Sequence, residues 1–193
     1  MSGKSINLSG LTLLIADPNA YFRTITQRIL RGFGAGNVLE AGNAELALQV
    51  MAERRIDILL CDIQLPPDGG LKLVRSIRSD PKNEHRTVPI LVLSSDTRPV
   101  TVQRARDSGA NMVLVKPLSP RNLYDRLAWV ALTPRNFVEH ETYFGPDRRF
   151  KIEGFPDGVG RRKGDQAVEV GESSGPALSQ NEIDNLLNFA RKG

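Results

Sequence analysis

The stretch IDILLCDIQLPPDGGLKLVRSIR (residues 56–78) decides the fold. From Ile58 to Cys61 it is apolar at every position, and it stops on an acid, Asp62. A strand with apolar side chains on both faces is expected in a parallel sheet covered by helices on two sides. Pro66, Pro67, Gly69 and Gly70 break the run, after which Leu71, Val74 and Ile77 return at helical spacing.

The same strand, turn and helix recur along the first 133 residues. LTLLIAD (11–17) precedes PNAYFRTITQRILRGFG, in which Phe22, Ile25, Ile29 and Leu30 share a face, Pro18 suits a first turn, and Gly32 and Gly34 suit a stop. NVLEAG (37–42), VPILVLSS (88–95) and NMVLVKP (111–117) lead into further helical patterns, with Asn43 and Ser119 near the start of two of them. Five strands each followed by a helix predict an α/β, doubly wound, five-stranded parallel sheet with right-handed crossovers.

Composition bounds the rest. A chain of 193 residues with 40% hydrophobic content builds one domain of ordinary size plus an extension. Its 26 basic residues face 22 acidic ones, a mixed balance that does not demand nucleic acid, and with no helix-turn-helix pattern or long basic helix no nucleic-acid partner is expected. Cys61 is the single cysteine and sits in an apolar run, so it is expected to be a buried small hydrophobe in a reducing compartment. MSGKSINLSG (1–10) has no apolar signal core, and no run approaches the roughly 18–20 apolar residues of a membrane span. The expectation is a soluble, cytoplasmic protein. His85 and His140 have no partners at recognisable spacing and read as surface histidines, so no catalysis on an external substrate is expected.

In a doubly wound sheet the site lies at the carboxyl ends of the strands, near the reversal of strand order. Asp17 ends the first strand, Asp62 the third, Ser94 and Ser95 the fourth, and Lys116 with Pro117 the fifth. Two carboxylates, a hydroxyl and an ammonium therefore converge from distant parts of the chain. A carboxylate accepts a phosphoryl group when a hard cation and a positive side chain neutralise the charge gathering on the transferred oxygens. In that chemistry Asp62 is the nucleophile, Asp17 helps hold Mg²⁺, Lys116 pairs with the phosphoryl group and Ser94 hydrogen-bonds it.

Asp17, CDIQLPPDGG around Asp62, LVLSS and VKP stand in an order and spacing that resembles the receiver domain of bacterial two-component response regulators, which are similar to CheY. The resemblance covers residues 10–133. It implies a flavodoxin-like fold, phosphorylation of Asp62 by a histidine kinase or phosphotransfer protein, and Mg²⁺ held by Asp17, Asp62 and the backbone carbonyl of Gln64. It further implies a cis bond between Lys116 and Pro117 and an output surface around residues 98–131. Two positions depart from the family. Pro18 stands where a second acid is usual, and Val113 where many receivers carry a rotating Tyr or Phe. The first departure implies weaker Mg²⁺ binding, and a receiver with a degenerate phosphorylation site is the alternative.

Residues 134–177 have the scattered Gly, Pro and Ser of a linker. YFGPDRRF (143–150) and GVGRRKGD (158–165) each place an Arg pair after a glycine: Arg148 with Arg149, and Arg161 with Arg162. Such pairs grip phosphates and stack on flat bases, with Tyr143, Phe144 and Phe150 as further stacking rings. The arrangement resembles the Arg-rich extension of CheY-like flagellar regulators that bind cyclic di-GMP, which implies that nucleotide as a second cofactor. A solvated basic linker and an acidic protein partner are the alternatives.

LSQNEIDNLL (178–187) closes the pattern. Ser179 and Glu182 form a capping box, and Ile183, Leu186, Leu187 and Ala190 line one stripe, predicting an amphipathic helix over 178–190. A helix this short needs a surface to bind. The segment resembles the N-terminal CheY-binding motif of the flagellar switch protein FliM, matching it at Leu178, Ser179, Gln180, Glu182, Ile183, Asp184, Leu186 and Leu187. That implies CheY or flagellar motor proteins as partners through Leu178, Ile183, Leu186 and Leu187, or docking on its own receiver.

Overall fold

The computed structural model describes residues 6–133, 135–140 and 143–147. Its centre is a parallel sheet of β1 (Thr12–Ala16), β2 (Asn37–Ala41), β3 (Ile58–Asp62), β4 (Ile90–Ser94) and β5 (Met112–Val115). The helices α1 (Ala20–Gly32), α2 (Ala44–Glu53), α3 (Gly70–Ser79), α4 (Pro99–Asp107) and α5 (Pro120–Leu132) alternate with the strands. Strand order is β2-β1-β3-β4-β5, so the order reverses between β1 and β3. This is the doubly wound, flavodoxin-like arrangement expected from the sequence.

Helix starts follow their caps. The Asn43 side chain accepts the Leu46 amide at 2.7 Å, and the Ser119 hydroxyl accepts the Asn122 amide at 3.2 Å with Pro120 as first helical residue. In α1 the cap is Asn19, which accepts the Phe22 amide at 3.1 Å. Pro18 therefore precedes the cap, one step before the first turn that the sequence suggested for it.

Strand parity divides the core in two. Leu14, Ala16, Leu59, Cys61, Ile90 and Val92 face Ala47 and Met51 of α2, Val74 and Ile77 of α3, and Ala105 of α4. Leu13, Ile15, Leu60, Leu91, Leu93 and Leu114 face Leu30 of α1 and Leu123, Leu127 and Val130 of α5. β3 and β4 are buried at every residue, which is why their sequences carry no polar alternation. Each such side chain contributes about 1.5–3 kcal/mol on burial. Among the described residues no helix is long and apolar enough to cross a membrane.

Two features correct the sequence reading. The stretch read as linker from residue 134 opens with a β-hairpin, β6 (Phe137–His140) paired antiparallel with β7 (Tyr143–Pro146). It packs at the amino end of β4 and β5. The Arg86 guanidinium lies 3.5 Å above the Phe144 ring centre and donates to Glu139 Oε1 at 2.6 Å. Gly109 has φ 96°, and Gly145 comes so near that a Cβ on it would lie 2.9 Å from Gly109 Cα. Tyr143 donates its hydroxyl to the Pro146 carbonyl at 2.9 Å, and Phe144 stacks at 5.4 Å on Phe137, so two of the three rings proposed for nucleotide stacking are engaged in the hairpin, and the third, Phe150, lies outside the described residues. The second correction is His85, which is buried and accepts the Ile56 amide at Nε2 (3.0 Å). His140 is exposed.

Beneath the hairpin lies Arg78 of α3, 2% exposed. Its Nε donates to Gly109 O (3.0 Å), Nη1 to Arg86 O (2.6 Å), and Nη2 to Val88 O (2.7 Å) and Asn111 Oδ1 (3.1 Å). Phe137 places its ring centre 5.0 Å from the guanidinium carbon. Burial lowers the Arg78 pKa to about 9, against an opposing effect of Tyr143, and the group stays protonated at neutral pH.

Candidate functional site

The carboxyl end of the sheet gathers what the strands deliver. Ala16 pairs with Cys61, Asp62 with Leu93, and Ser94 with Val115, so this register brings Asp17, Asp62, Ser94 and Lys116 to one edge. Asp17 and Ser94 are fully buried, and Asp62 is 4% exposed. The Lys116 ammonium bonds Oδ2 of Asp17 and Oδ2 of Asp62 together. Both carboxylates thus turn one oxygen toward the same point.

Their other oxygens are held by the loops that follow. The Asn19 amide donates to Asp17 Oδ1 at 2.8 Å, and the Gln64 amide donates to Asp62 Oδ1 at 2.6 Å. Arg23 donates through Nη1 to the Asp17 carbonyl at 2.7 Å and through Nε to Glu40 at 3.0 Å, which ties α1 to β2 beside the site. Gly70 admits no side chain: a Cβ there would run into the Asp62 carbonyl oxygen and lie 2.7 Å from Cys61 Sγ. Burial, then the charges of Asp62 and Asp17, push the Cys61 thiol far up. Cys61 is therefore a packed thiol beside the acid and no nucleophile.

Ser94 is turned to its own loop. Its hydroxyl donates to the Asp96 carbonyl and accepts the Asp96 amide, both at 3.0 Å. Bonds from Arg98 and Thr101 hold the Asp96 carboxyl well below the usual carboxylate range. The Lys116–Pro117 bond is cis. Val113 is half-buried against the α2–α4 side of the sheet, where the family resemblance placed a mobile ring.

Sequence reasoning assigned Asp17, Asp62, Gln64, Ser94 and Lys116 to one site, and the structure brings them together. It missed three neighbours: Asn19, Arg23 and Phe22, the last with its ring centre 4.0 Å from Lys116 Nζ. Asn19 was legible as a cap; Phe22 read only as an apolar-face residue. Arg148, Arg149, Arg161 and Arg162, and the proposed contact residues Leu178, Ile183, Leu186 and Leu187, lie outside the described residues. Among the described residues no group of three or more acidic, His or Cys side chains is placed to hold a metal.

Comparison with known proteins agrees with this geometry. The family model of the response regulator receiver domain matches residues 13–128. The chain belongs to the response regulator receiver family. Over 132 residues this receiver is 31% identical to the sensory/regulatory protein RpfC of Xanthomonas campestris pv. campestris, covering 68% of this chain and 18% of that protein. It therefore spans less than a fifth of that relative's length. Against the chemotaxis protein CheY of Pseudomonas aeruginosa it is 27% identical over 117 residues, which is 61% of this chain and 93% of that one. The solved receiver domain of a Pseudomonas aeruginosa sensor histidine kinase, with magnesium coordinated in its active-site cleft, is similar at a TM-score of 0.57 and 27% identity. That match covers 63% of this chain and 98% of the other.

Proposed function

We propose that this receiver takes a phosphoryl group on Asp62 from a histidine kinase or phosphotransfer protein, and that its output is a protein–protein contact in chemotaxis or flagellar motor control. The observation that carries the reading is the single ammonium of Lys116 bonded to both strand-end carboxylates. In the transfer, an Asp62 oxygen bonds to phosphorus as the bond from phosphorus to the donor nitrogen breaks, its electron pair staying on the imidazole. The Lys116 ammonium then exchanges the carboxylate for a phosphoryl oxygen. The Gln64 amide holds the second Asp62 oxygen at 2.6 Å and so fixes the attacking one. Ser94 supplies its hydroxyl by releasing the Asp96 carbonyl.

The donor set fits a magnesium ion. The two carboxylates are neighbours, sharing the Lys116 ammonium, and Mg²⁺ is commonly held by one or two carboxylates with waters and phosphate oxygens. Asp17, Asp62 and the Gln64 carbonyl are the residues that would hold it. The ion supplies neutralisation of charge on the transferred group. With Pro18 in place of a second acid at the end of β1, binding is weaker than in a site with three carboxylates.

On the output side, Val100 of α4 and Val115 of β5 expose apolar side chains, 56% and 43% accessible. The FliM-like segment, with Leu178, Ile183, Leu186 and Leu187, supplies the contact to CheY or motor proteins. Incubation with acetyl phosphate and mass measurement tests the reading: one phosphoryl group on the wild type with Mg²⁺ and none on Asp62→Asn. No uptake by the wild type at saturating Mg²⁺ would overturn it.

A further inference from the structure

Phe22 belongs to the site although no chemistry in the sequence marks it. Lys116 Nζ sits 4.0 Å from its ring centre, and the lysine side chain is only 17% exposed. The ring's place is set by the site itself. Asp17 Oδ1 accepts the Asn19 amide, the Asn19 side chain accepts the Phe22 amide, and Lys116 returns to Asp17. With the ring contact, they close a loop of four residues, the cation among them. Its third side is an aromatic face in a chain whose first strand is followed by Pro18, which has no charge to offer.

From this geometry we infer that Phe22 is a positioning residue, whose ring holds the Lys116 ammonium over the carboxylate pair by a cation–π contact. The inference rests on the phosphoryl-transfer reading for its consequence and on geometry alone for the contact. A lysine ammonium is a point charge on a flexible stem, and when Asp62 becomes an acyl phosphate it loses one of its two carboxylate partners. Asp17 and the ring remain, so the ammonium stays where the phosphoryl oxygens arrive. Packing alone does not require an aromatic here, because Phe22 is only half-buried at the margin of the α1–α5 core, where a leucine fills similar space.

The experiment compares full-length wild type, Phe22→Leu and Phe22→Tyr. In the wild type the Lys116 ε-methylene protons should resonate upfield of ordinary lysine, because the ammonium they adjoin sits over a ring; they should return to the ordinary position in Phe22→Leu and stay upfield in Phe22→Tyr. With acetyl phosphate as donor, Phe22→Leu should lose about fivefold to tenfold in maximal phosphorylation rate at an unchanged half-saturating donor concentration, and Phe22→Tyr should stay within about twofold of wild type. Phe22→Met replaces the leucine variant if that one melts early. An ordinary Lys116 shift in the wild type, or equal rates in the leucine and tyrosine variants, overturns the inference. A wild type that takes no phosphate yet shows the upfield shift overturns the reading of Asp62 and leaves the ring contact established.

Discussion

At each end of the sheet a long cation lies beside an aromatic ring, and Lys116 and Arg78 are held in opposite ways. At the carboxyl end Lys116 rests on two carboxylates and the face of Phe22. At the amino end Arg78 rests on three backbone carbonyls, the Asn111 amide oxygen and Phe137. Lys116 answers to charges, one of which the chemistry alters. Arg78 answers to neutral oxygens fixed in loops, which no reaction touches. A compact ammonium suits the first place and a planar fork the second. The difference separates a site built to change its partner from a joint built to keep it.

The sharpest way to break this comparison is Arg78→Ala. Several buried carbonyls lose their donor at once, and stability should fall by about 4 kcal/mol. For a chain of this size that lowers the melting temperature by roughly 8–16 °C, measurable by calorimetry. Phosphate uptake well below the melting temperature should persist; its loss would mean that the two ends are coupled. Lys116→Met should reverse the pattern, cutting acetyl phosphate turnover by about a hundredfold, as loss of a single charge-stabilising group does, while the hairpin's NMR signals stay in place.

Arg86→Ala removes the cover over Phe144, the bond to Glu139 and a donor to the Arg78 carbonyl. The expected cost is about 1–2 kcal/mol in urea unfolding, with no change in phosphate uptake. Glu139→Gln should shift stability by less than about 0.5 kcal/mol, because Glu139 is 66% exposed. A larger effect would show that the hairpin depends on charge more than on stacking.

Much of this was legible in the sequence for a physical reason. Strands buried on both faces must be continuously apolar, and four of the five strand runs stop at a residue whose type suits the proposed chemistry: Asp17, Asp62, Ser94, Lys116. Topology then brings those stops together without any local signal linking them. The hairpin escaped because neither FVEH nor YFGP contains a strong strand pattern, and two short strands are marginal until they dock. Their dock is made by Arg78, Arg86 and Gly109, far away in the chain. His85 was misread on the same ground, since a histidine that accepts a distant Ile56 amide leaves no periodic trace. Phe22 was seen as an apolar-face residue, because a ring's electrostatic use depends on what stands over it.

The order in which the hairpin's contacts are made along the chain sets a hierarchy of opening. Every acceptor of Arg78 (Arg86, Val88, Gly109 and Asn111) precedes the hairpin in sequence, so that network is complete without it. β6 and β7 close over that joint through Phe137, and they are expected to open as a unit while its hydrogen bonds stay. Amide hydrogen exchange should accordingly sort the molecule into two clocks, with Val138 and Phe144 exchanging through a low-energy local event and Leu91 and Leu93 only through unfolding of the whole sheet.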